Sequence, residues 1–230
     1  MTVTQEKQDR KITTKSAAFF EAVKTRRSNY NITNESPLTN EQLQEIIEQA
    51  VLHTPTAFNS QTSRAILIVD KEKNDQIWEI VKKRFIESLI DKNMQAFWSN
   101  HIDNSFKAGY GTVIFFEDQN IIKQFASEKL QYAQEIPIWS GESSAMLQYI
   151  VWSALTVEGY GASLQHFAGY TPHVKADIND FLEIPKHWKN TAMMPFGLKN
   201  GPPGHPGATK QFGPIEDRTR FIFKDNDTVV

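Results

Sequence analysis

The sequence predicts an α+β or α/β sandwich that forms a single large domain. Its 230 residues, 40% of them hydrophobic, are enough to bury a sizeable core, either in one large domain or in two small ones. Amphipathic helical patterns alternate with short apolar runs of strand length. No composition shift or linker marks a boundary between domains. We therefore expect a flexible polar arm over residues 1–15 and one domain over residues 16–230.

The order of the elements follows from apolar periodicity and turn residues. The clearest helix begins with the capping-box pair Thr39 and Gln42, keeps one apolar face as far as Val51, and ends before Pro55. Other helices are expected from a Ser16 cap to residue 25 and over residues 74–90, 119–134, 141–157 and 173–182. The pattern of residues 93–108 does not decide between helix and loop. Residues 136–139 are expected to interrupt the helical pattern. Strands are expected over residues 65–69, 112–116, 162–167 and 188–196, a loop over 197–213, and a last strand or arm over 217–223.

The composition excludes several classes of site. The chain contains no cysteine, which excludes disulfides and thiolate chemistry and is typical of a cytoplasmic protein. No two of its six histidines have helical metal-ligand spacing, so we expect no metal site. The 25 basic and 27 acidic residues nearly balance, which predicts no nucleic-acid partner. The N-terminus lacks a signal-peptide core, and the longest apolar run, residues 145–157, is too short to span a membrane.

Residues 54–61, with the sequence Thr-Pro-Thr-Ala-Phe-Asn-Ser-Gln, form a polar loop between the clearest helix and the first strand. Its amide and hydroxyl side chains exchange hydrogen bonds but are poor acids and bases. Such a loop suits a neutral polar part of a cofactor, such as a sugar-like chain or the edge of a heterocycle. Taken alone, however, Asn59 and Gln61 are explained better by ordinary turn chemistry, and Pro55 by the end of the helix.

Basic residues are the candidates for binding an anion. Arg26, Arg27 and Ser28 follow a predicted helix, where two guanidinium groups and a hydroxyl can chelate a phosphate. The tripeptide alone is explained better by arginines that complement the helix dipole. Further cations, Lys199, Lys210 and Arg218, flank the Gly/Pro-rich stretch, where solvated surface charge is the simpler interpretation of each.

A glycine pair breaks the most apolar helix. Gly159 and Gly161 precede an extended segment that runs through Gln165 and His166, and such a segment can present backbone N–H groups to a ligand. The pair is not a dinucleotide fingerprint, because it follows a helix instead of a strand and lacks the third glycine. By itself it is a weak signal.

Together, these motifs resemble FMN-dependent nitroreductases over about residues 17–223. The resemblance rests on the order and spacing of Arg26-Arg27-Ser28, the 54–61 loop, the glycine junction, and a basic residue before Pro214. The loop sequence and the run Met194-Pro-Phe-Gly197 are most similar to the subgroup that includes the fatty-acid-repression-mutant protein of yeast and its bacterial relatives.

The resemblance implies a three-layer α+β sandwich with an antiparallel or mixed sheet flanked by helices. It also implies an intertwined homodimer with two FMN molecules at the subunit interface. Arg26 and Ser28, helped by Lys210 or Arg218, would bind the phosphate, and Asn59 and Gln61 the ribityl chain or ring edge. The remaining implied contacts are Pro55, Thr56 and Ala57 to the partner's flavin, and the backbone N–H groups of Gln165 and His166 to flavin N5 and O4.

The chain departs from the family pattern at Tyr30, where many relatives place a lysine near flavin N1 and O2. Arg27 is the expected replacement for that cation, with Arg64 as the alternative. The segment that ends the chain is also short, which leaves the choice among Lys199, Lys210 and Arg218 open.

The implied activity is NADH- or NADPH-dependent reduction of nitroaromatic compounds or quinones by a ping-pong mechanism, in which the flavin and no particular side chain carries the chemistry. The alternative is a flavin-binding stress or lipid-signalling regulatory protein with incidental reductase activity. A third interpretation, a cofactor-free structural domain, requires the motifs to be unrelated.

Overall fold

A five-stranded sheet forms the centre of the fold. The computed structural model describes residues 12–205 and 209–222. The strands are β1 (Ile32–Thr33), β2 (Ser63–Ile68), β3 (Gly111–Asp118), β4 (Tyr160–Ala162) and β5 (Trp188–Lys199). Their order is β1-β5-β3-β2, β4 also pairs with β5, and each of these pairings is antiparallel.

Helices connect and cover these strands. They are α1 (Ala17–Thr25), α2 (Asn40–His53), α3 (Lys71–Glu87), α4 (Lys92–Ile102), α5 (Gln119–Glu128), α6 (Ile136–Val157), α7 (Phe167–Tyr170) and α8 (Val174–Phe181). Short 3₁₀ turns span Ala57–Asn59 and Leu130–Tyr132, and a π-helical turn over Asp103–Lys107 follows α4. In the described part of the chain, no helix is both long enough and apolar enough to cross a membrane.

The central strand β3 shows why the fold has three layers. Successive side chains of a strand point to opposite faces. Val113 and Phe115 pack into the core that α2 and α6 cover, whereas Ile114 and Phe116 pack into the core that α3, α7 and α8 cover. Because both faces are buried, β3 is apolar at consecutive positions. The expected helix–sheet–helix sandwich is therefore confirmed.

The capping box of α2 is confirmed. The backbone N–H of Gln42 donates to Thr39 Oγ1 at 3.3 Å, and the Thr39 N–H donates to Gln42 Oε1 at 2.9 Å. At α1 the expectation is wrong in part, because Ser16 precedes the helix but its side chain makes no capping hydrogen bond.

Helix α6 begins earlier than expected. Residues 136–139, which include Pro137, were expected to interrupt the helical pattern, but Pro137 lies in the first turn of α6. Backbone N–H groups in a first turn make no intrahelical hydrogen bond, so the missing N–H of proline costs nothing there. Strand β5 continues three residues past Phe196 to Lys199. Gly197 allows this, because a Cβ atom there would lie 2.1 Å from the Thr33 carbonyl oxygen of the adjacent strand β1.

Two other expected strands differ from the structure. The extended segment after the glycine junction is strand β4 over residues 160–162, and α7 already begins at Phe167. Residues 217–222 contain no strand, and Phe223 lies outside the described residues. Most of the expected N-terminal arm, residues 1–11, also lies outside them.

Candidate functional site

The positive charges of Arg26, Arg27 and Lys210 lie within electrostatic range of one another at the C-terminal end of α1. Arg26 ends this helix and donates its backbone N–H to the Ala22 carbonyl oxygen at 3.0 Å. Burial, and then the nearby charges of Arg27 and Arg26, lower the pKa of Lys210. Among the described residues, no carboxylate forms an ion pair with any of these three cations. Adjacent positive charges without a counter-ion favour the binding of an anion.

The guanidinium group of Arg26 rests on two aromatic rings of α6. Its Cζ atom lies 4.2 Å from the centroid of Trp152 and 5.8 Å from that of Tyr149. Its Nε atom is buried and has no hydrogen-bond partner within the described residues. Buried donors are nearly always hydrogen-bonded, so this nitrogen is available to donate a hydrogen bond to a ligand.

Ser28 directly follows the two arginines, and hydrogen bonds hold its backbone on both sides. The N–H of the next residue, Asn29, donates to the Ala162 carbonyl oxygen at 2.9 Å, and Ser28 forms an isolated parallel bridge with Ala162. On the other side, the Ser28 carbonyl oxygen accepts a hydrogen bond from the Gly204 N–H at 2.7 Å. The hydroxyl group makes no hydrogen bond in the described part of the chain, so it remains available to a ligand.

The loop over residues 54–61 holds an unusual backbone conformation. Phe58, Asn59 and Gln61 have φ angles of 55°, 53° and 48°, which are uncommon for residues with a side chain. The turn is closed by a hydrogen bond of 3.0 Å from the Gln61 N–H to Thr56 Oγ1. Asn59 makes no side-chain hydrogen bond to any described residue. Strain of this kind often occurs at functional sites, where surrounding contacts hold it in place.

The first half of this loop faces helix α6. Pro55, Thr56 and Ala57 line a cavity of about 400 Å³ together with Trp139, Glu142, Ser143 and Met146 of α6. A second, apolar cavity of about 550 Å³ extends from Pro55 along α6 to Tyr149, whose ring contacts Arg26. The two cavities and the cationic cluster therefore follow one face of α6.

One backbone contact expected after the glycine junction is wrong for this structure. The N–H of Gln165 donates to the Met193 carbonyl oxygen at 2.8 Å, so the sheet already uses it. The Gln165 side chain donates to Ser163 Oγ at 3.0 Å. The backbone N–H of His166 makes no hydrogen bond within the described residues, so it remains a candidate ligand contact.

The structure separates the basic residues of the C-terminal part. Lys210 is the one whose pKa responds to Arg26 and Arg27. Arg218 lies in an exposed turn, where its N–H donates to the Ile215 carbonyl oxygen, and Lys199 ends β5 opposite Ile32. Neither is among the charges that shift the Lys210 pKa.

Arg64 already has an anionic partner. Its guanidinium group donates to Asp118 at 3.1 Å and to the Gln61 carbonyl oxygen at 2.8 Å. These contacts anchor the end of the 54–61 loop to β3, so Arg64 is a structural residue here. Arg27 therefore remains the residue predicted to replace the lysine that many relatives have in place of Tyr30.

Tyr30 belongs to an aromatic cluster that the sequence analysis did not identify. Its ring stacks on His205 with centroids 4.3 Å apart and planes 13° apart, and His101 lies 5.6 Å from both rings. Burial, and then the charge of His205, lower the pKa of His101. The three residues are distant in sequence and share no motif, so no local signal could have grouped them. In the same described ranges, no cluster of three or more His, Asp or Glu side chains could hold a metal ion.

Comparison with known proteins identifies the family to which this architecture belongs. The model of the nitroreductase family matches residues 23–198. HBN1 of Saccharomyces cerevisiae is 30% identical over 190 residues, which cover 82% of this chain and 91% of HBN1. The nitroreductase FRM2 of the same yeast is 27% identical over 187 residues, which cover 80% of this chain and 90% of FRM2.

Solved structures show the same fold. Nitroreductase CinD from Lactococcus lactis in complex with chloramphenicol is 32% identical, with a TM-score of 0.76 over 89% of this chain and 100% of CinD. Its complex with 4-nitrophenol gives 31% identity and a TM-score of 0.75 over the same shares. A more distant structure from Desulfovibrio desulfuricans, solved in complex with FMN, shares the fold at 14% identity, with a TM-score of 0.60 over 89% of this chain and 96% of that one.

Proposed function

Because this chain belongs to the nitroreductase family of oxidoreductases, we propose that it is an FMN-dependent enzyme that uses NADH or NADPH to reduce nitroaromatic compounds or quinones. The observation that carries the proposal is the buried Nε of Arg26, which has no partner among the described residues and lies near the charges of Arg27 and Lys210 and two residues before the hydroxyl of Ser28. A terminal phosphate has the charge and the acceptor oxygens that such a cluster lacks. The chloramphenicol and 4-nitrophenol bound by CinD support the nitroaromatic class of acceptor.

Each group of residues would hold a different part of FMN. Arg26, Ser28 and Lys210 would bind the phosphate, with the buried Nε of Arg26 available as a donor. Asn59 and Gln61 would hold the ribityl chain or the edge of the ring. The His166 N–H would donate to the ring on the side of N5 and O4, and Arg27 would provide positive charge near N1 and O2.

The bound flavin supplies two-electron redox chemistry, and the protein supplies position and charge. With a nitroaromatic acceptor, each two-electron cycle would convert NADH, a proton and ArNO₂ into NAD⁺, ArNO and water. Donor and acceptor would occupy the same pocket in turn, as a ping-pong mechanism requires. Positive charge from Arg27 would favour the reduced, anionic cofactor, since fixed charges act strongly where water is excluded.

We propose further that the protein works as a homodimer. Phe19 on α1 is 61% exposed and lines the apolar cavity with Met146 and Tyr149 of α6. Exposed apolar surface of this kind is typical of subunit interfaces. Pro55, Thr56 and Ala57 lie on the same side of the molecule, from which they would contact the partner's flavin.

The absorption spectrum of the purified protein tests this proposal. We expect a flavin band near ~450 nm in the protein as purified, or after addition of FMN and removal of the unbound cofactor, and its bleaching under anaerobic conditions by NADH or NADPH. Reoxidation by a nitroaromatic or a quinone would complete the cycle. A protein that retains no FMN once the unbound cofactor is removed would overturn the proposal. Bleaching by one nicotinamide and not by the other would identify the electron donor.

A further inference from the structure

Three aromatic side chains enclose the end of the cavity between the 54–61 loop and α6. The ring centroids of Phe58 and Trp139 are 6.0 Å apart, and Tyr132 lies 5.6 Å from each of them. Phe58 and Trp139 line the cavity of about 400 Å³ directly. We call these three residues the aromatic corner. A cavity of this size with aromatic walls fits one planar ring system.

Phe58 is held in the corner at a conformational cost. Its φ and ψ angles are 55° and 24°, which place a bulky residue in the left-handed region, and 49% of its surface is exposed. Burial of apolar surface does not explain this arrangement, because half of the ring remains in water. Strained residues persist where the surrounding structure fixes them, often as part of a binding site.

Glu142 contributes a negative charge to the same cavity. It lies one helical turn after Trp139, so both side chains lie on one face of α6. Within the part of the chain that the structure describes, Glu142 has no ion-pair partner. The other nearby charge is Lys129, whose Nζ atom lies 4.7 Å from the centroid of Phe58 but is not part of the cavity wall.

We propose that this cavity is the acceptor pocket, open to the partner's flavin that Pro55, Thr56 and Ala57 would contact, and that Glu142 determines which charge the acceptor may carry. Aromatic faces and a carboxylate together favour planar rings that are neutral or cationic. An anionic ring would bring its charge close to the exposed carboxylate of Glu142, where water reduces the repulsion but does not abolish it. Glu142 is thus a specificity-determining residue. This inference rests on the proposed function and adds charge selection to it.

Three nitrobenzenes of similar size test the charge selection: 4-nitrobenzoate, 4-nitrobenzamide and (4-nitrobenzyl)trimethylammonium. We expect the FMN-loaded wild-type enzyme to show a kcat/KM for the anion about 2- to 5-fold below that for the amide, and a value for the cation at or above that for the amide. Glu142→Gln should remove this difference between the anion and the amide. Lys129→Met should have the opposite effect and disfavour the anion further.

Glu158→Gln is the matched control. It removes the same charge from the exposed far end of the same helix, so it should leave all three ratios as in the wild type. If Glu142→Gln and Glu158→Gln give the same ratios, the inference about Glu142 is wrong. If the FMN-loaded wild type reduces neither a nitrobenzene nor a quinone, the proposed function fails instead. If it reduces quinones alone, the assignment of this pocket to nitroaromatic acceptors is wrong.

Binding to the oxidised enzyme without nicotinamide gives a second readout. Titration of 4-nitrobenzamide should quench tryptophan fluorescence in the wild type, because nitroaromatic rings quench an indole that they contact. We expect Trp139→Phe to reduce the amplitude of quenching while it keeps an aromatic wall. Unchanged quenching in Trp139→Phe would place the acceptor outside the aromatic corner and would overturn the assignment of the pocket.

Discussion

The guanidinium carbon of Arg26 lies 4.2 Å above the ring of Trp152, which joins the end of α1 to the C-terminal part of α6. A cation–π contact of this kind holds a charged group in place without neutralising its charge. Arg26 is therefore positioned by an aromatic surface, and its buried Nε still has no acceptor among the described residues. The guanidinium group of Arg26 is therefore preorganised to bind an anion.

The first prediction concerns this contact. Arg26→Ala should weaken FMN binding by about 1–3 kcal/mol, because it removes a charge-assisted hydrogen bond to the phosphate. Trp152→Leu should weaken it less, since the charge remains and only its support is lost. Fluorescence titration of the apoprotein with FMN measures both. Arg218→Ala is the control, and an equal loss in that variant would contradict the assignment of the phosphate site.

A second prediction follows from the lowered pKa of Lys210. Burial and the neighbouring arginines place this pKa below its ordinary value of 10.5, so the free protein loses the Lys210 proton at a lower pH than an exposed lysine would. A bound anion stabilises the charged form and raises the pKa again. FMN affinity should therefore decrease as the pH rises above neutrality towards 10.5, the ordinary pKa of lysine. Lys210→Met should bind more weakly near pH 7 and lose this component of the pH dependence. Identical pH profiles for the two proteins would exclude Lys210 from the site.

The third prediction separates strain from binding at Gln61, whose φ angle is 48°. Glycine at this position relieves a left-handed strain of about 1–2 kcal/mol and costs about 0.5–1 kcal/mol in unfolded-state entropy. Gln61→Gly should thus leave the apoprotein equally or slightly more stable in urea. Its FMN affinity should fall by about 0.5–1.5 kcal/mol through the lost side-chain hydrogen bond. Gln61→Ala should lose the same affinity but gain no stability, and full FMN affinity in both variants would remove this side chain from the site.

The fourth prediction concerns a buried polar cluster beneath the loop. Glu117, which is 4% exposed, accepts hydrogen bonds from Ser63 and Ser140, and Ser140 also contacts Thr62 at 3.1 Å. Ser140→Ala should lower the free energy of unfolding by about 1–3 kcal/mol, because part of a buried carboxyl group loses its donor. Urea denaturation checks this value. Ser127→Ala on the exposed face of α5 should change it by less than about 0.5 kcal/mol.

Local patterns in the sequence were enough to predict much of the fold. The capping box at Thr39, the helix stop before Pro55 and the apolar strand around Ile114 each depend on residues close together in the chain. The predicted interruption at Pro137 was wrong, because proline is compatible both with a break between helices and with the first turn of a helix. Only the packing of α6 decides between the two. The extension of β5 through Gly197 depends on its distant neighbour Thr33, which no local pattern reveals.

The candidate site was predictable only in part. Arg26 and Ser28 were predicted because nearby residues form a motif, and the structure adds that the charges of Arg26 and Arg27 act on Lys210. The N–H of Gln165 was assigned wrongly, because its use by Met193 depends on sheet pairing. The stack of Tyr30 on His205 joins two ends of the chain through a tertiary contact, which spacing in the sequence does not encode.

The hydrogen bond from the Gly204 N–H to the Ser28 carbonyl oxygen links the segment after β5 to the end of α1 where we propose that the phosphate binds. Asn200 pairs with Asn31 just beside it, so residues 200–205 lie as a strap across residues 28–31. If FMN binds more tightly when these hydrogen bonds are formed, occupation of the site and closure of this strap are thermodynamically linked, and each favours the other to the same extent. Bound cofactor would protect residues 200–205 from proteases, and a cut there would release cofactor. Retention of the flavin would therefore report on the integrity of the C-terminal part of the chain.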